Sequence, residues 1–355
     1  MAGNKQMNNQ PGFSEIQSRE ETTTAMTFKM TMLQFSWLVG LVALVTASSS
    51  SAVSIDWVTV GDPGNAVDST GLGAVGYSYR ISKYEVTNSQ YAEFLNAVGT
   101  SDPNWLYDTT LANSPIHRGI TRSGASGSYT YNTVAGRENM PVNYVTFYST
   151  LRFANWLQNG QPTGPQSNAT TEDGAYTFLP PSPFSTPITR NPGATIFLTS
   201  EDEWYKAAYY DAVSANYNAA PASGSFLCTA PGATPGTGNC HGSVGDTTAV
   251  GSYTNSPSPN GTFDQGGNLY EWNETILFGG SHRGVRGGAF DDLSTWGPFS
   301  TNWAGATPLL TDGTNFFDGP HRLGFRVASV VPEPSTALLL GLGLAGMAAR
   351  RRSPG

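Results

Sequence analysis

The chain contains 355 residues, of which only 12% are charged, whereas soluble domains ordinarily have about 25% charged residues. Its 26 acidic and 18 basic residues give a formal net charge of −8, which argues against the basic face that a nucleic-acid-binding protein needs. With 41 Gly, 23 Pro, 17 Phe, 16 Tyr and 8 Trp, the composition also excludes a disordered chain and a helical bundle. It indicates a loop-rich domain with an aromatic core.

The N-terminal region has the composition of a secretory signal. An apolar run from Leu33 to Ala47 follows Lys29 and leads into the small residues Ser48–Ala52. A cation, an apolar stretch and a small-residue exit are the three parts of such a signal. We therefore expect residues 1–52 to be an N-terminal extension and signal peptide. The alternative is a membrane anchor, although the run is shorter than the ~20 residues that a spanning helix requires.

The C-terminal region, residues 331–355, has three parts in a fixed order. Pro332-Glu333-Pro334 precedes a short apolar run that ends at Arg350-Arg351-Arg352, and the positive-inside rule places this Arg cluster in the cytoplasm. At about 1.5 Å per residue the run reaches about 21 Å, which suits a transient anchor better than a permanent span of a ~30 Å bilayer core. The three parts resemble the PEP-CTERM sorting signal of bacteria. That resemblance implies export, removal of the tail by an exosortase, and a final location at the cell surface or in the extracellular matrix.

Residues 53–330 are expected to form one domain, because no segment has the composition of a linker and no internal repeat is found. Three short helices are predicted from their N-cap residues Thr87, Thr146 and Ser200. The Gly/Pro/Ser/Thr-rich stretches 159–195 and 219–261 are expected to be surface excursions. The fold class is α+β with few short helices and high irregular content. Four short strands are predicted at Tyr77–Tyr84, Thr195–Leu198, Val285–Phe290 and Phe325–Val330.

Six motifs of this body, in this order, resemble the sulfatase-modifying-factor (formylglycine-generating enzyme-like) family. The resemblance covers residues 76–330 and implies a single-domain fold related to C-type lectins, with little regular secondary structure. The motifs are Lys83–Asn88; Met140-Pro141-Val142 before Phe153–Leu157; Leu198–Trp204; Gly267–Trp272; Arg286-Gly287-Gly288; and Gly324–Val327.

Several motif positions have simple physical explanations. Glu203 and Glu271 each precede a Trp (Trp204 and Trp272), and a carboxylate beside a buried indole is most simply a hydrogen-bond acceptor in a polar network. Two glycines after Arg286 suggest a close backbone approach or a positive φ. A buried Arg326 requires a carboxylate partner. Glu85, Asn88 and Asn268 complete the set of structural motif residues.

The resemblance implies a copper-binding Cys pair after the Arg-Gly-Gly block, with which formylglycine-generating enzymes oxidise a Cys of a client sulfatase. No Cys occurs between Arg286 and Arg326, and a Cu(I) site needs thiolate or thioether ligands. A copper site is therefore not expected. Non-heme iron would need two His and a carboxylate at one point, but the four histidines, His117, His241, His282 and His321, are scattered singly along the sequence.

The two cysteines, Cys228 and Cys240, are predicted to form a disulfide, because nearby Cys residues in an exported protein usually do. The alternative, a redox pair, lacks a basic helix end that would lower a thiol pKa.

A structural calcium ion is the cofactor that the resemblance implies. It places the ion around the Gly-Asn-x-x-Glu-Trp block, with carboxylates from Asp264 and Glu271 and backbone carbonyls from Gly267 and Leu269. The alternative is that Asp264 caps a turn and Glu271 accepts hydrogen bonds in a network.

The sequence therefore predicts an exported, surface-sorted protein that is more a binding or matrix-associated module than an enzyme. Its expected partners are the export machinery, an exosortase-type processing enzyme and an extracellular glycan or protein ligand, with membrane contact only through the transient C-terminal helix. The alternative is a metal- and oxygen-dependent oxidase of the formylglycine-generating or non-heme iron type that uses other residues.

Overall fold

The structure, a computed structural model, describes residues 52–109, 117–178, 188–222, 226–280, 282–292, 304–306 and 319–332. The chain divides after Ala52 into two units, and every element below belongs to the second, Val53–Gly355. The predicted signal peptide and the tail beyond Pro332 lie outside the described residues. Within the described ranges, no helix combines the length and the apolar character that crossing a membrane requires.

Three α-helices begin at the expected N-cap residues. Thr87 and Ser200 each accept a hydrogen bond from the backbone N–H three residues ahead, and the side chains of Gln90 and Glu203 complete two capping boxes. Thr146 caps the middle helix by accepting from the backbone N–H of Ser149. The helices are α1 (Asn88–Val98), α2 (Phe147–Gln158) and α3 (Glu201–Tyr209).

Helix α2 is buried on all sides, although its sequence predicts a single inward face. Eleven of its twelve residues are buried. The covering layer is part of the stretch 159–195: Asn155 Nδ2 donates to the carbonyl oxygens of Thr171 and Tyr176, each at 2.8 Å. Since Tyr176 is itself completely buried, the expectation that this whole stretch is a surface excursion was wrong. The loop satisfies its own backbone groups by bonding to polar side chains of the helix.

Two four-stranded sheets form the body of the domain. In the first, the order β1-β2-β14-β5 is antiparallel throughout. In the second, ordered β12-β11-β10-β13, only the β10–β13 pair is parallel. The strands are β1 (Trp57–Val60), β2 (Tyr79–Ser82), β3 (Ile120–Ser123), β4 (Thr130–Thr133), β5 (Ile196–Leu198), β6 (Tyr210–Asp211), β7 (Asn216–Tyr217), β8 (Leu227–Cys228), β9 (Thr237–Gly238), β10 (Tyr270–Leu277), β11 (His282–Arg286), β12 (Ala304–Ala306), β13 (Leu323–Phe325) and β14 (Val327–Val330).

Two of the expected strands differ from those observed. The run expected at Phe325–Val330 is interrupted at Arg326, so that β13 joins one sheet and β14 joins the other. The strand expected at Val285–Phe290 ends instead at Arg286, because the next two glycines have positive φ. Strand β10, the longest of the described strands, was not predicted, since its acidic and polar residues hide the strand pattern.

An aromatic cluster fills the space between helices α1 and α2 and strand β13. Phe153 packs against Phe94, Trp156 and Phe325 at ring-centroid distances of 5.3, 5.8 and 5.3 Å. Phe94, Phe153 and Phe325 are completely buried. The aromatic core that the composition indicates therefore lies here.

Candidate functional site

A buried ion pair lies where the two sheets meet. Arg326 donates to both carboxylate oxygens of Glu271, each at 2.6 Å, and neither side chain is exposed. The indole N–H of Trp204 donates to the same carboxylate at 2.6 Å. Other guanidinium N–H groups donate to the carbonyl oxygens of Ser82 and Phe263, at 3.1 and 2.9 Å. Glu271 is thus the carboxylate partner that a buried Arg326 requires.

Two further carboxyl groups, those of Glu85 and Asp264, interact with this pair. Glu85 Oε2 accepts from Asn268 Nδ2 at 2.9 Å, and within the described part of the chain Glu85 Oε1 has no hydrogen-bond partner. Burial, followed by the negative charges of Glu271 and Asp264, raises the pKa of Glu85 well above its ordinary value. Burial also raises the pKa of Asp264 to about 6. Both shifts favour the protonated carboxyl.

Of the four residues of the calcium prediction, Glu271 belongs to this ion pair and Asp264 interacts with its charges, whereas Gly267 and Leu269 lie in the segment that leads into strand β10. The guanidinium and the indole already occupy both oxygens of Glu271. Among the described residues, no group of three or more His, Cys, Asp or Glu side chains could hold a metal ion. Calcium binding at these residues stays a prediction. The contacts of Glu271 weigh against it, because Ca²⁺ needs oxygen ligands that are free to coordinate.

Glu203 accepts hydrogen bonds in a buried polar network, as the sequence predicts, although the indole of its neighbour Trp204 is not one of its donors. It accepts from Arg190 Nη2 at 2.7 Å and from the Tyr77 hydroxyl at 2.6 Å. Consecutive residues of a helix point in different directions, so that Trp204 reaches Glu271 on strand β10 instead. Both glutamates belong to buried polar networks, but the partners come from distant parts of the chain.

The Arg286-Gly287-Gly288 block ends strand β11 with a sharp turn. Arg286 Nε donates to the carboxylate of Glu201. Gly287 and Gly288 have φ angles of 105° and 80°, as their sequence position predicts, and a Cβ on Gly287 would lie only 3.2 Å from a backbone oxygen. This turn brings the following residues, Phe290 among them, to two histidines that are far apart in the sequence.

We define the histidine face as His117, His321, Asp246, Asp291 and Phe290. The two imidazole rings stack with their centroids 5.6 Å apart, and the Phe290 ring lies 4.8 Å from His117 and 6.1 Å from His321. His117 Nδ1 lies 2.9 Å from Asp246, and His321 Nε2 lies 3.1 Å from Asp291. The histidine side chains are 18% and 23% exposed, so solvent reaches both.

Each carboxylate of the histidine face also pairs with an arginine. Arg137 donates to Asp246, and Arg322 donates to Asp291 from two nitrogens at 2.8 and 3.1 Å. Burial alone would raise the pKa of Asp291, but the hydrogen bonds from His321 and Arg322 outweigh it and lower this pKa to about 2. Asp291 is therefore ionised and fixes the orientation of both partners.

The backbone segments that carry the two histidines are tied together by one amide. Asn143 Nδ2 donates to the carbonyl oxygen of His117 at 2.9 Å and to that of His321 at 3.1 Å. His117 has a positive φ of 66°, which a non-glycine residue adopts only when its surroundings hold it there. The histidine face is thus held in a fixed arrangement, although its residues come from four separate segments of the chain.

The histidine face does not have the arrangement that non-heme iron requires. Each imidazole is directed at its own carboxylate, and both carboxylates are already paired with arginines. The remaining histidines do not join them: His241 is exposed on another loop, and His282 on strand β11 lies against the ring of Phe278. This donor set does not fit an iron site with two His and one carboxylate.

A small cavity borders the histidine face. Its lining includes Asn143 and Tyr144, which contact the two histidines, together with Tyr107, Asp108 and Arg118. At its edge Asn88 is buried, and its Oδ1 has no hydrogen-bond partner among the residues that the structure describes. The lining of the cavity therefore combines the charged groups of Asp108 and Arg118 with tyrosine rings.

A disulfide supports the loop next to the histidine face. Cys228 and Cys240 are bonded, with their Cα atoms 4.9 Å apart, as the sequence predicts. Two residues later, the N–H of Gly242 donates to the carbonyl oxygen of Phe290 at 2.8 Å. Because these are the only cysteines of the chain, no thiol remains for a copper site.

Sequence reasoning does not find the histidine face, because the residues that form it come from four separate segments of the chain. One available signal is the pair Asp291-Asp292, which follows the Arg-Gly-Gly block after Ala289 and Phe290, in the region where the resemblance puts the Cys pair.

Comparisons with known proteins agree with this fold. Solved structures with similar folds include CarF (16% identity, TM-score 0.53, 79% of this chain and 99% of that chain). Weaker matches are Treponema denticola variable protein 1 (17% identity, TM-score 0.48, 80% of this chain and 98% of that chain) and PvdO from Pseudomonas aeruginosa (17% identity, TM-score 0.40, 79% and 93%). No curated protein matches the chain significantly. A profile described as the PEP-CTERM protein-sorting motif matches residues 330–352. Because the profile of the sulfatase-modifying factor enzyme 1-like domain matches residues 74–330, most of its length, the chain belongs to that family.

Proposed function

We propose that the chain is an exported, surface-sorted member of its family that binds an extracellular ligand at the histidine face and does not carry out thiol-dependent oxidation. One observation carries the proposal. After the Arg-Gly-Gly turn, where the resemblance implies a Cys pair, the chain places Phe290 and Asp291 against two histidines, and both of its cysteines are in a disulfide. Copper chemistry of the family type requires a thiolate, so another role is expected at this position.

The composition of the histidine face suits recognition. It combines two partly exposed imidazoles, which can contact a glycan or a peptide, with a buried Phe290 ring behind them and carboxylates that hold the imidazoles in place. Side chains that are fixed before binding lose little conformational entropy when a ligand arrives. The network of Arg137, Arg322 and Asn143 supplies this rigidity.

The sorting motif supports export and processing by an exosortase-type enzyme. We expect protein recovered from the producing cells to begin near Val53 and to lack the tail after Pro334. Intact-mass spectrometry of this protein identifies its first and last residues. A Glu333→Ala variant is the control and should keep its tail. Surface or secreted protein that retains Arg350-Arg351-Arg352 would refute the sorting proposal.

A metal titration tests the binding role against catalysis. The purified chain is incubated with Cu(I), Fe(II) or Ca²⁺, freed of excess metal and analysed for bound metal and for oxygen uptake with a Cys-containing sulfatase peptide. We expect neither stoichiometric copper nor iron, and no oxygen uptake. Calcium as the sole stoichiometric metal would support the binding role and the structural-ion prediction.

The alternative, a metal- and oxygen-dependent oxidase, rests on the convergence of two imidazoles and two carboxylates at one surface, and it requires these groups to leave their present ion pairs in order to bind a metal. It predicts one copper or iron per chain with oxygen consumption. Both signals should then disappear in a His117→Ala/His321→Ala variant and persist in a His241→Ala control. That result would overturn the binding role.

A further inference from the structure

We infer that Trp105 is a stacking surface for a sugar ring of a neutral polysaccharide. This inference rests on the proposed ligand-binding function and adds a ligand class and a second contact residue to it. An indole presents a flat apolar face, which the C–H face of a pyranose ring covers while its hydroxyl groups stay available for hydrogen bonds.

Trp105 has two energetically unfavourable features, an exposed indole and a left-handed backbone conformation. Its side chain is 70% exposed, although Trp is ordinarily one of the more buried residue types. Its backbone has a φ of 52°, and Asp102 three residues earlier has a φ of 46°. Such left-handed conformations in residues other than glycine cost free energy, and they concentrate at functional sites. The turn therefore stores strain at the position that displays the indole.

The turn that carries Trp105 is held by a buried carboxylate. Asp102 accepts hydrogen bonds from the backbone N–H groups of Leu106 and Tyr107, at 2.7 and 3.1 Å, and from Gln166 Nε2 at 3.2 Å. The Asp102 residue is only 5% exposed. The indole is thus presented on a rigid support without being packed into the protein, as a preformed contact surface requires.

The surroundings of Trp105 favour a sugar over a protein partner. Among the described residues, no other large exposed hydrophobic side chain occurs between positions 78 and 212. The nearby chain is small and polar: the β3–β4 connection, an exposed Gly/Ser-rich segment, bonds to the backbone of Thr100 through Gly127 and Tyr129. A protein hot spot needs neighbouring contacts that exclude water, whereas a sugar ring uses one aromatic face amid polar groups. The net charge of −8 further favours a neutral polysaccharide over an acidic one.

The neighbouring cavity offers partners for the hydroxyl groups of adjacent sugar units. Tyr107 and Asp108, just after Trp105, line the cavity that also borders the histidine face. Asp108 and Arg118, which are both partly exposed, offer polar atoms on its lining. A chain of sugar units is therefore a better match than a single sugar, because several contact points lie along one surface.

Affinity electrophoresis of the full chain tests this inference. The gels contain one of the neutral polysaccharides hydroxyethyl cellulose, xyloglucan or dextran, or the matrix polysaccharide of the producing cells. We expect at least one neutral polysaccharide to retard the protein. Trp105→Ala should weaken this binding about 30-fold, the loss typical of a hot-spot residue, while Trp105→Phe should keep part of it. Phe278→Ala, at another exposed aromatic residue, is the matched control and should bind normally.

A second variant separates a binding role from a structural one. Because glycine adopts positive φ without strain, Trp105→Gly should have an unchanged or higher melting temperature and yet lose binding. A lowered melting temperature would mean that the indole holds the turn, which would overturn the inference. So would the absence of retardation by every polysaccharide tested.

The inference and the proposed function can fail separately. If Trp105→Ala binds polysaccharide normally and His117→Ala/His321→Ala does not, the histidine face remains the ligand site and the inference about Trp105 is wrong. If the reverse is found, the sugar site stands and the role of the histidine face is refuted.

Discussion

Replacing Arg326 by Met is expected to lower the free energy of unfolding by about 3–5 kcal/mol. The substitution leaves the fully buried carboxylate of Glu271 without its cation and removes the donors to the backbone oxygens of Ser82 and Phe263. A buried charge without a partner retains its full desolvation cost, which is why breaking such a pair is so destabilising. Urea unfolding, followed by tryptophan fluorescence, measures the change.

Two variants control this experiment. Arg322→Met breaks a partly exposed pair with Asp291, so its loss should stay below about 1 kcal/mol. Adding Glu271→Gln to Arg326→Met removes the unpaired charge but keeps an acceptor for the indole of Trp204, and should recover part of the stability. If Arg326→Met does not fold, Arg326→Lys, which retains the charge, provides the measurable member of the series. Equal losses in Arg326→Met and Arg322→Met would contradict the structural role of the buried pair.

Removing the disulfide with Cys228→Ser/Cys240→Ser is expected to cost about 3 kcal/mol, according to the chain-entropy estimate for a loop of this length. The bond closes a loop with a sequence separation of 12 residues, and Cys240 is buried. The structural effect should be largest near the disulfide. The bonded loop leads to Gly242, whose backbone N–H donates to the carbonyl oxygen of Phe290. Thermal unfolding gives the size of the effect, and hydrogen exchange should show faster opening around residues 226–245.

A reductant provides the matched control for the disulfide. It should destabilise the natural protein and leave the Ser/Ser variant unchanged. Thiol labelling of the unfolded, non-reduced protein should find neither cysteine. Labelling of both, or equal stability of the two proteins, would disprove the stabilising bond.

Local signals in the sequence were reliable where neighbouring residues decide the structure. The helix starts at Thr87, Thr146 and Ser200 depend on side chains that reach backbone groups three residues away, and all three are observed. The positive φ angles of Gly287 and Gly288 likewise follow from the intrinsic freedom of glycine.

Strand boundaries and the burial of polar segments could not be predicted from neighbouring residues alone. Strand β10 carries Glu271, Asn273 and Glu274, which look like loop residues until Arg326, Glu201 and Arg190 provide their partners. The stretch 159–195 looks like a surface loop until its backbone groups are satisfied by helix α2. In each case a distant partner offsets the cost of burying a polar group.

The low charge, the C-terminal sorting motif, the six family motifs and the absence of a Cys after the Arg-Gly-Gly block are properties of the sequence by itself. They determine an aromatic, loop-rich α+β domain of this family that lacks the Cys pair expected after that block. Only the tertiary structure brings His117 to His321 and sets an exposed Trp105 on a strained turn. The reason is physical. Caps, turns and composition depend on short-range interactions, whereas these surfaces form where distant loops meet, and their geometry depends on contacts that no local pattern records.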